Sequence, residues 1–441
     1  MQSQDSVPGY RIDSLNREGR GVTRREGKAI FVDGALPGEL VDFDVTKRKP
    51  SYELGQVVLV REASPARVAP KCPWFGLCGG CSMQHLEFRA QVAVKQRILE
   101  DAFWHIGRVR PEELLVPIYG EPWSYRHRAR LSVRLVRKKG GMLVGFHEKQ
   151  SSFIADMTSC DVLPRNVSEL LPSLRNVLGK LSICEQLPQI ELAVGGAETV
   201  FVLRNLVPLS ESDKDLLKDF AEKHEVSLWL QPKGPDTATP FWPLNSRDLA
   251  YELPEFGVRL KFRPTDFTQI NHSVNRMMIR RSLTLLNLSI GDRVLDLFCG
   301  LGNFTLPIAS KGAVVHGVEG SEGLIEMARG NASLNGLDKN CTFSTANLFD
   351  AIQVDRVFKE YGPFDKVLID PPREGAMEVV KRLAAYPVAR KVVYVSCDPG
   401  TLARDSAVLV NSAGYRLKMA GIINMFPQTS HVESMALFER T

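Results

Sequence analysis

Apolar positions change rhythm along the chain, and each rhythm predicts an element. Between residues 10 and 62 they fall in short runs: Ala29-Ile-Phe-Val32, Leu40-Val-Asp-Phe-Asp-Val45 and Gln56-Val-Val-Leu-Val60. The middle run alternates strictly, as a half-buried strand does. Turns at Asp33-Gly34, Pro37-Gly38 and Lys49-Pro50 separate the runs. About five short strands in this length predict a small barrel of the oligonucleotide-binding type. From Phe88 to Gly107 the spacing becomes helical. Val92, Ile98, Leu99, Ala102, Phe103 and Ile106 share one stripe, and Gly107 gives the stop signal. Period two returns after residue 121, where Ala129, Leu131, Val133 and Leu135 alternate with Arg126, Arg128, Arg130 and Arg134. On a strand the four arginines share a face. Gly140-Gly141 turns the chain, and Leu143-Val-Gly-Phe146 is expected to pair back. Residues 164–251 alternate helix and strand without a chemical motif.

The last third alternates strand and helix, which predicts a parallel, doubly wound sheet. Its strands are Arg293–Phe298, Ala313–Glu319, the stretch Lys366-Val-Leu-Ile-Asp-Pro-Pro-Arg373, which ends in Asp370-Pro371-Pro372, and a run that begins at Lys391. The run Val392-Val-Tyr-Val395 is fully apolar, as a buried parallel strand should be. Asp398-Pro399-Gly400 is expected to end it in a sharp turn. Two further apolar stretches, Leu417–Met425 and Ser434–Phe438, flank a short loop and predict an antiparallel hairpin. A parallel sheet closed by such a hairpin is the S-adenosylmethionine methyltransferase plan.

Composition narrows the class. A chain of 441 residues is too long for one ordinary domain. The net charge of +5 permits a nucleic-acid partner without demanding one. There is no apolar run long enough to span a membrane. The opening Met1-Gln-Ser-Gln-Asp-Ser6 lacks the signal-peptide pattern. A cytoplasmic protein is expected, in which the eight cysteines are not paired as disulfides.

Three of those cysteines, Cys72, Cys78 and Cys81, lie within ten residues, with glycines between them. Converging thiolates suit zinc or an iron–sulfur cluster, and spacing does not separate the two. A fourth ligand is needed: Cys160 is the first choice and Cys184 the second. Cys397 sits at the carboxyl end of the strand that begins at Lys391, where ligands of open α/β sheets bind. It reads as a nucleophile or as a small buried residue, and position alone favours the second. Cys299 sits in the glycine turn Cys299-Gly-Leu-Gly-Asn303 and reads as packing. That turn, followed by a strand ending in the acid Glu319, fits a dinucleotide or S-adenosylmethionine. Thr305 stands where a dinucleotide site usually has its third glycine, which favours S-adenosylmethionine. The four arginines carry no acid among them and predict a phosphate-binding face. A dinucleotide-dependent iron–sulfur oxidoreductase is the competing enzyme class.

Several stretches resemble the RNA uracil C5 methyltransferases. They are Asp266-Phe-Thr-Gln-Ile-Asn271, Asp296-Leu-Phe-Cys-Gly-Leu-Gly-Asn-Phe304, Ile369-Asp-Pro-Pro-Arg373, Ser396-Cys-Asp-Pro399 and His431-Val-Glu433. The start of the chain resembles the TRAM domain of RNA-modifying enzymes. Together with the cysteine cluster, this resembles the bacterial branch that methylates a uridine in 23S ribosomal RNA; action on tRNA is the alternative. The resemblance implies a multidomain α/β chain. Residues 1–63 would form a TRAM β-barrel, and 64–83 with 118–262 a central α+β iron–sulfur domain. Residues 84–117 with 263–441 would form a Rossmann-like methyltransferase domain. It implies a [4Fe–4S] cluster on Cys72, Cys78, Cys81 and Cys160. It implies a cofactor site of Gln269, Phe298, Asn303, Glu319, Asn347 and Asp370, with Cys397 as nucleophile and Glu433 as proton acceptor. A monomer with 23S ribosomal RNA as partner and no membrane association is expected. The chemistry asks for these types: a thiolate adds readily to uracil C6, and a base must then take the C5 proton.

Overall fold

The computed structural model describes residues 6–245, 247–385 and 389–440. Most of the opening stretch read above as lacking a signal peptide, residues 1–5, lies outside them. Among the described residues no helix is long and apolar enough to cross a membrane. The chain divides into two compact units: residues 1–98, 146–155 and 426–431 form one, and 99–145, 156–425 and 432–441 the other.

The first unit is built on a six-stranded sheet: β1 (Ser6–Arg11), β2 (Ser14–Leu15), β3 (Gly21–Arg25), β4 (Lys28–Asp33), β5 (Leu40–Arg48) and β6 (Tyr52–Glu62), ordered β1-β5-β6-β4-β3-β2. The alternation read in Leu40–Val45 places Val41 and Phe43 in its core with Ile12, Ile30, Val32 and Ala35. The helix α1 (Phe88–Ala102) starts in this unit. It is shorter than predicted, because Phe103–Gly107 forms a π-helical turn. Gly107 is not the residue that turns out of the helix: Arg108 takes the left-handed conformation, φ 53°. Gly107 is needed for a different reason, since a Cβ there would lie 2.4 Å from the Ala403 carbonyl oxygen.

In the second unit a two-residue strand, β7 (Glu113–Leu114), precedes a mixed sheet. That sheet contains β8 (Arg128–Val136), β9 (Gly141–Gly145), β10 (Gln189–Gly195), β11 (Glu198–Arg204), β12 (Ser227–Leu230) and β13 (Thr239–Trp242), with helices α2 (Arg165–Lys180) and α3 (Glu211–His224). Its order is β13-β12-β11-β10-β8-β9. A hairpin, β14 (Ala250–Leu253) and β15 (Val258–Lys261), leads to α4 (His272–Leu286).

The rest is the doubly wound layer. β16 (Arg293–Leu297), β17 (Val314–Glu319), β18 (Cys341–Thr345), β19 (Lys366–Ile369) and β20 (Lys391–Ser396) are parallel. Helices α5 (Thr305–Ser310), α6 (Glu322–Leu334), α7 (Ala351–Tyr361), α8 (Met377–Ala385) and α9 (Pro399–Asn411) alternate with them. The predicted hairpin is present as β21 (Arg416–Ile423) and β22 (Glu433–Glu439). The order is β18-β17-β16-β19-β20-β22-β21-β7, so β22 inserts antiparallel beside β20. Val392, Val393, Tyr394 and Val395 are fully buried, each burial favouring the fold by about 1.5–3 kcal/mol. The end of β20 differs from the expected sharp turn. Asp398 caps α9, accepting from the Gly400 and Thr401 amides at 2.7 and 3.1 Å, and Pro399 is its first residue. Proline suits that position because its missing N–H would find no helical partner there.

Candidate active site

One edge of the eight-stranded sheet collects the expected residues. Phe298 follows β16, Glu319 ends β17, Asn347 lies just past β18, and Asp370 follows β19. Cys397 follows β20. Glu433 opens β22, and because that strand runs antiparallel its first residue lies at the same edge. The chain order reverses between β16 and β19, and the crevice of an open α/β sheet lies at such a reversal. The Asp370 amide donates to the Leu297 carbonyl at 3.2 Å, which ties the two strand ends together.

The glycine turn shapes the crevice floor. Phe298, Gly300 and Gly302 all have positive φ, at 63°, 56° and 97°. Glycine is favoured at Gly302 because L side chains rarely adopt its φ of 97°. Glu319 receives three backbone amides: Gly300 at 3.3 Å, Gly320 at 2.8 Å and Ser321 at 3.2 Å. This fixes its carboxylate against the turn. Asn303 is held as firmly. Its carbonyl oxygen accepts from the Tyr251 hydroxyl at 2.8 Å and from the Asn275 amide at 2.9 Å. Its own amide donates to Asn275 at 3.0 Å. Tyr251 stacks on His272, which stacks on His127 with ring centroids 4.1 Å apart. Burial keeps His272 and His127 neutral, pushing His272 down to about 3. Gln269 lies half-buried just before Asn271, whose side chain caps α4. Asn347 is exposed, and its side chain accepts from the Phe349 amide at 3.0 Å.

Electrostatics set the acids apart from ordinary carboxylates. Asp296, fully buried, is pushed up to about 7 by burial, against a 2.5 Å hydrogen bond donated by Thr305. Its second oxygen, Oδ1, has no hydrogen-bond partner among the described residues. Burial also raises Asp370 to about 7. Cys299 is buried, and desolvation together with the Asp296 and Glu319 charges holds its thiol far up, which suits packing rather than attack. Cys397 is half-exposed. Burial first, then the Glu433 and Asp370 charges, push its thiol up to about 12, and Arg373 pulls the other way. The register supports the same proximity. Ser396 faces Ser434, so Cys397 and Glu433 come next on adjacent strands. The thiol and the acid expected to act together are therefore neighbours, and Glu433 is buried rather than on an open surface.

The residues the sequence missed are Tyr251, Asn275 and Asp296. Asn275 stands one helical turn beyond Asn271, the only signal that pointed to it. An S-adenosylmethionine molecule fits this edge. The turn keeps its backbone open at Gly300, and Glu319 and Asn303 are both held in place by hydrogen bonds beside it.

The cysteine cluster and the arginine face are less simple. Cys72, Cys78 and Cys81 are half-exposed on a turn-rich segment of the first unit. The Gly80 amide donates to the Cys78 sulfur at 3.4 Å, and the Cys72 amide to Gln84 at 3.1 Å. Cys160 is buried in the second unit. Among the described residues, no group of three or more His, Cys, Asp or Glu is gathered as a metal-ion site. The arginine face is partly neutralised. β8 begins at Arg128, so Arg126 lies before it. The register sets Glu191 of β10 opposite Arg130, which it meets at 3.0 Å, with Arg128 at 3.9 Å. Arg134 faces the apolar Leu143 on β9. In the first sheet, Arg25, Lys28 and Arg48 likewise surround the buried Glu53.

Comparison with known proteins agrees with this geometry. The tRNA (uracil-5-)-methyltransferase family matches residues 90–441, and the TRAM domain matches residues 11–58. A 23S rRNA (uracil(1939)-C(5))-methyltransferase RlmD of Burkholderia thailandensis is 56% identical, over 99% of this chain and 96% of its own. The protein of the same name from Cupriavidus metallidurans is 56% identical, over 98% and 95%. The crystal structure of Pyrococcus abyssi tRNA (uracil-54, C5)-methyltransferase in complex with S-adenosyl-L-homocysteine superposes with a TM-score of 0.75. It is 25% identical and covers 98% of this chain and 100% of that one. The chain therefore belongs to the tRNA (uracil-5-)-methyltransferase family and is an S-adenosylmethionine-dependent RNA uracil-C5 methyltransferase.

Proposed function

We propose that this enzyme methylates C5 of a uridine in 23S ribosomal RNA through a covalent bond between Cys397 and uracil C6. The observation that carries the reading is the adjacency of Cys397 and Glu433 across β20 and β22, at the edge where Glu319, Asn303 and Asp370 gather. The rRNA substrate rests on the relatives' names and on the TRAM domain. A domain division at 1–63, 64–83 with 118–262, and 84–117 with 263–441 accompanies the proposal, with a monomer as the acting species.

Uracil C5 is a weak carbon nucleophile. The Cys397 thiol passes its proton to solvent, and addition of its sulfur to C6 forms an S–C bond and moves the C5–C6 electron pair toward the C4 carbonyl. That enolate makes C5 nucleophilic. S-adenosylmethionine, when bound, supplies the electrophilic methyl group, and Gln269, Phe298, Asn303, Glu319, Asn347 and Asp370 would hold it. Glu433 then takes the C5 proton, the C5–C6 double bond re-forms and the Cys397 sulfur leaves. Burial and the Glu433 and Asp370 charges favour the thiol form of Cys397 at neutral pH. A base within folded RNA must also leave its stack to reach a sheet edge of this kind.

The test is Cys397→Ala, assayed on 23S rRNA from a strain lacking the gene. Methylation should vanish while S-adenosyl-L-homocysteine binding persists. Normal turnover by the variant would remove Cys397 from the reaction, and methylation of tRNA alone would redirect the substrate.

We further propose that Cys72, Cys78, Cys81 and Cys160 hold a [4Fe–4S] cluster. The support is the spacing of three thiols and the amide aimed at the Cys78 sulfur, which suits a thiolate. No step of methyl transfer runs through it. Anaerobic purification should yield iron and sulfide in equal amounts, lost in Cys78→Ser; stoichiometric zinc would refute the cluster.

A further inference from the structure

Apart from the strand-end residues, the second unit carries a cavity of about 330 Å³ that the reaction does not use. One wall is the segment Val116, Pro117, Ile118 and Tyr119. The other is Met277, Arg280, Arg281 and Thr284, spaced as one stripe of α4. Both walls are fixed. Leu115 donates to Ala420 at 2.9 Å, Ile118 to Ile422 at 3.0 Å, and Asn424 to Ile118 at 2.7 Å. α4 buries Met278, Ile279, Ser282, Leu285 and Leu286 on its other side.

The lining combines two guanidinium groups with apolar and aromatic surface and contains no carboxylate. Arg281 gives one N–H to the Val116 carbonyl at 3.2 Å. Arg280 is exposed. Glu255, which feels Arg280, is already engaged by Arg276 at 2.6 Å. Val116 is 73% exposed and Tyr119 45%, an apolar lip on a charged pocket. Guanidinium groups take phosphate oxygens, and apolar and aromatic faces take bases. The cavity also has a definite place relative to the chemistry. Ile118 bridges to Ile423, and Ile423 faces Glu433. Ile118 in the cavity wall thus lies about two strand spacings, or ~10 Å, from Glu433.

We propose that this cavity is a subsite for a nucleotide flanking the target uridine, with its phosphate on Arg280 and Arg281 and its base against Val116, Pro117 and Tyr119. The inference rests on the RNA methyltransferase reading and adds where the neighbouring strand goes. The experiment compares wild type, Arg280→Ala, Arg280→Lys and Thr284→Glu on two RNAs. One is a 23S rRNA fragment with the target uridine and its flanks, and the other is trimmed of the flanks. Arg280→Ala and Thr284→Glu should raise KM for the long RNA by about fivefold to tenfold, as loss of one charge-assisted contact would. They should leave kcat and the trimmed RNA unchanged. The log–log salt slope for the long RNA should fall by about one in Arg280→Ala and recover in Arg280→Lys. Filter binding of the long RNA is read in parallel, without methylation. Arg280-dependent binding of an RNA that wild type does not methylate would strike the choice of substrate and leave the subsite standing. An unchanged affinity and salt slope, or equal losses on both RNAs, would overturn the subsite.

Discussion

Glu433→Gln perturbs two steps in opposite directions, and the structure fixes both signs. After burial, the Glu433 charge raises the Cys397 thiol most. Removing it should ease thiolate formation. Residues facing each other on antiparallel neighbours lie about 4.5–5.5 Å apart. A unit charge at ~5 Å is worth about 3 kcal/mol at an effective dielectric of 20 and about 0.8 kcal/mol in water. For the half-exposed Cys397 we take about 1 kcal/mol, or roughly 0.7 of a pH unit. Iodoacetamide alkylation of Cys397 should therefore have its pH midpoint lowered by about that much. Proton removal from C5, in contrast, should nearly stop, because an amide is almost without basicity. A methylated protein–RNA adduct should accumulate, survive denaturing gels and require both Cys397 and S-adenosylmethionine. Two results would refute the reasoning. One is normal turnover by Glu433→Gln. The other is an alkylation midpoint that stays fixed or moves up, which would mean that Glu433 and Cys397 do not face each other.

Tyr251→Phe removes one of two donors to the Asn303 carbonyl. A net hydrogen bond of about 0.5–1.5 kcal/mol predicts a KM for S-adenosylmethionine raised up to about tenfold with kcat intact. An unchanged KM would separate Asn303 from cofactor binding. Asp296 tests linkage. Its folded value of about 7 lies above the unfolded carboxylate range, so the folded state binds the extra proton between about pH 4 and 7. The ligand-free protein should therefore lose stability as pH rises through that window. Asp296→Asn should flatten the loss in denaturant titrations, and a parallel slope would mean that Asp296 is ionised throughout. On β8, Arg134→Ala should lower the salt slope of RNA binding more than Arg130→Ala, because Glu191 already holds Arg130. Equal slopes would remove β8 from the RNA surface.

Some of this protein was legible in local patterns. The apolar run Val392–Val395 had to be a buried strand, and the glycine turn before Thr305 had to open a helix. The positions of Cys397, Glu319 and Asp370 at strand ends followed, because strand ends are set by short-range signals. The role of Glu433, and the choice of an iron–sulfur cluster over zinc, came from resemblance, since a lone acid on a strand carries no signature of its own and cysteine spacing does not separate the two metals. What folding alone decided are pairings between distant segments. Inserting β22 beside β20 made Glu433 a buried neighbour of Cys397. The register of β10 on β8 brought Glu191, some sixty residues away, onto Arg130, and dissolved part of a face that looked purely basic. Packing also made Gly107 a close-approach glycine rather than a stop, because the Ala403 carbonyl sits where its side chain would be. In each case the sequence supplied the residue and its local geometry, and the long-range contact, which depends on the whole sheet closing, supplied its environment and hence its chemistry.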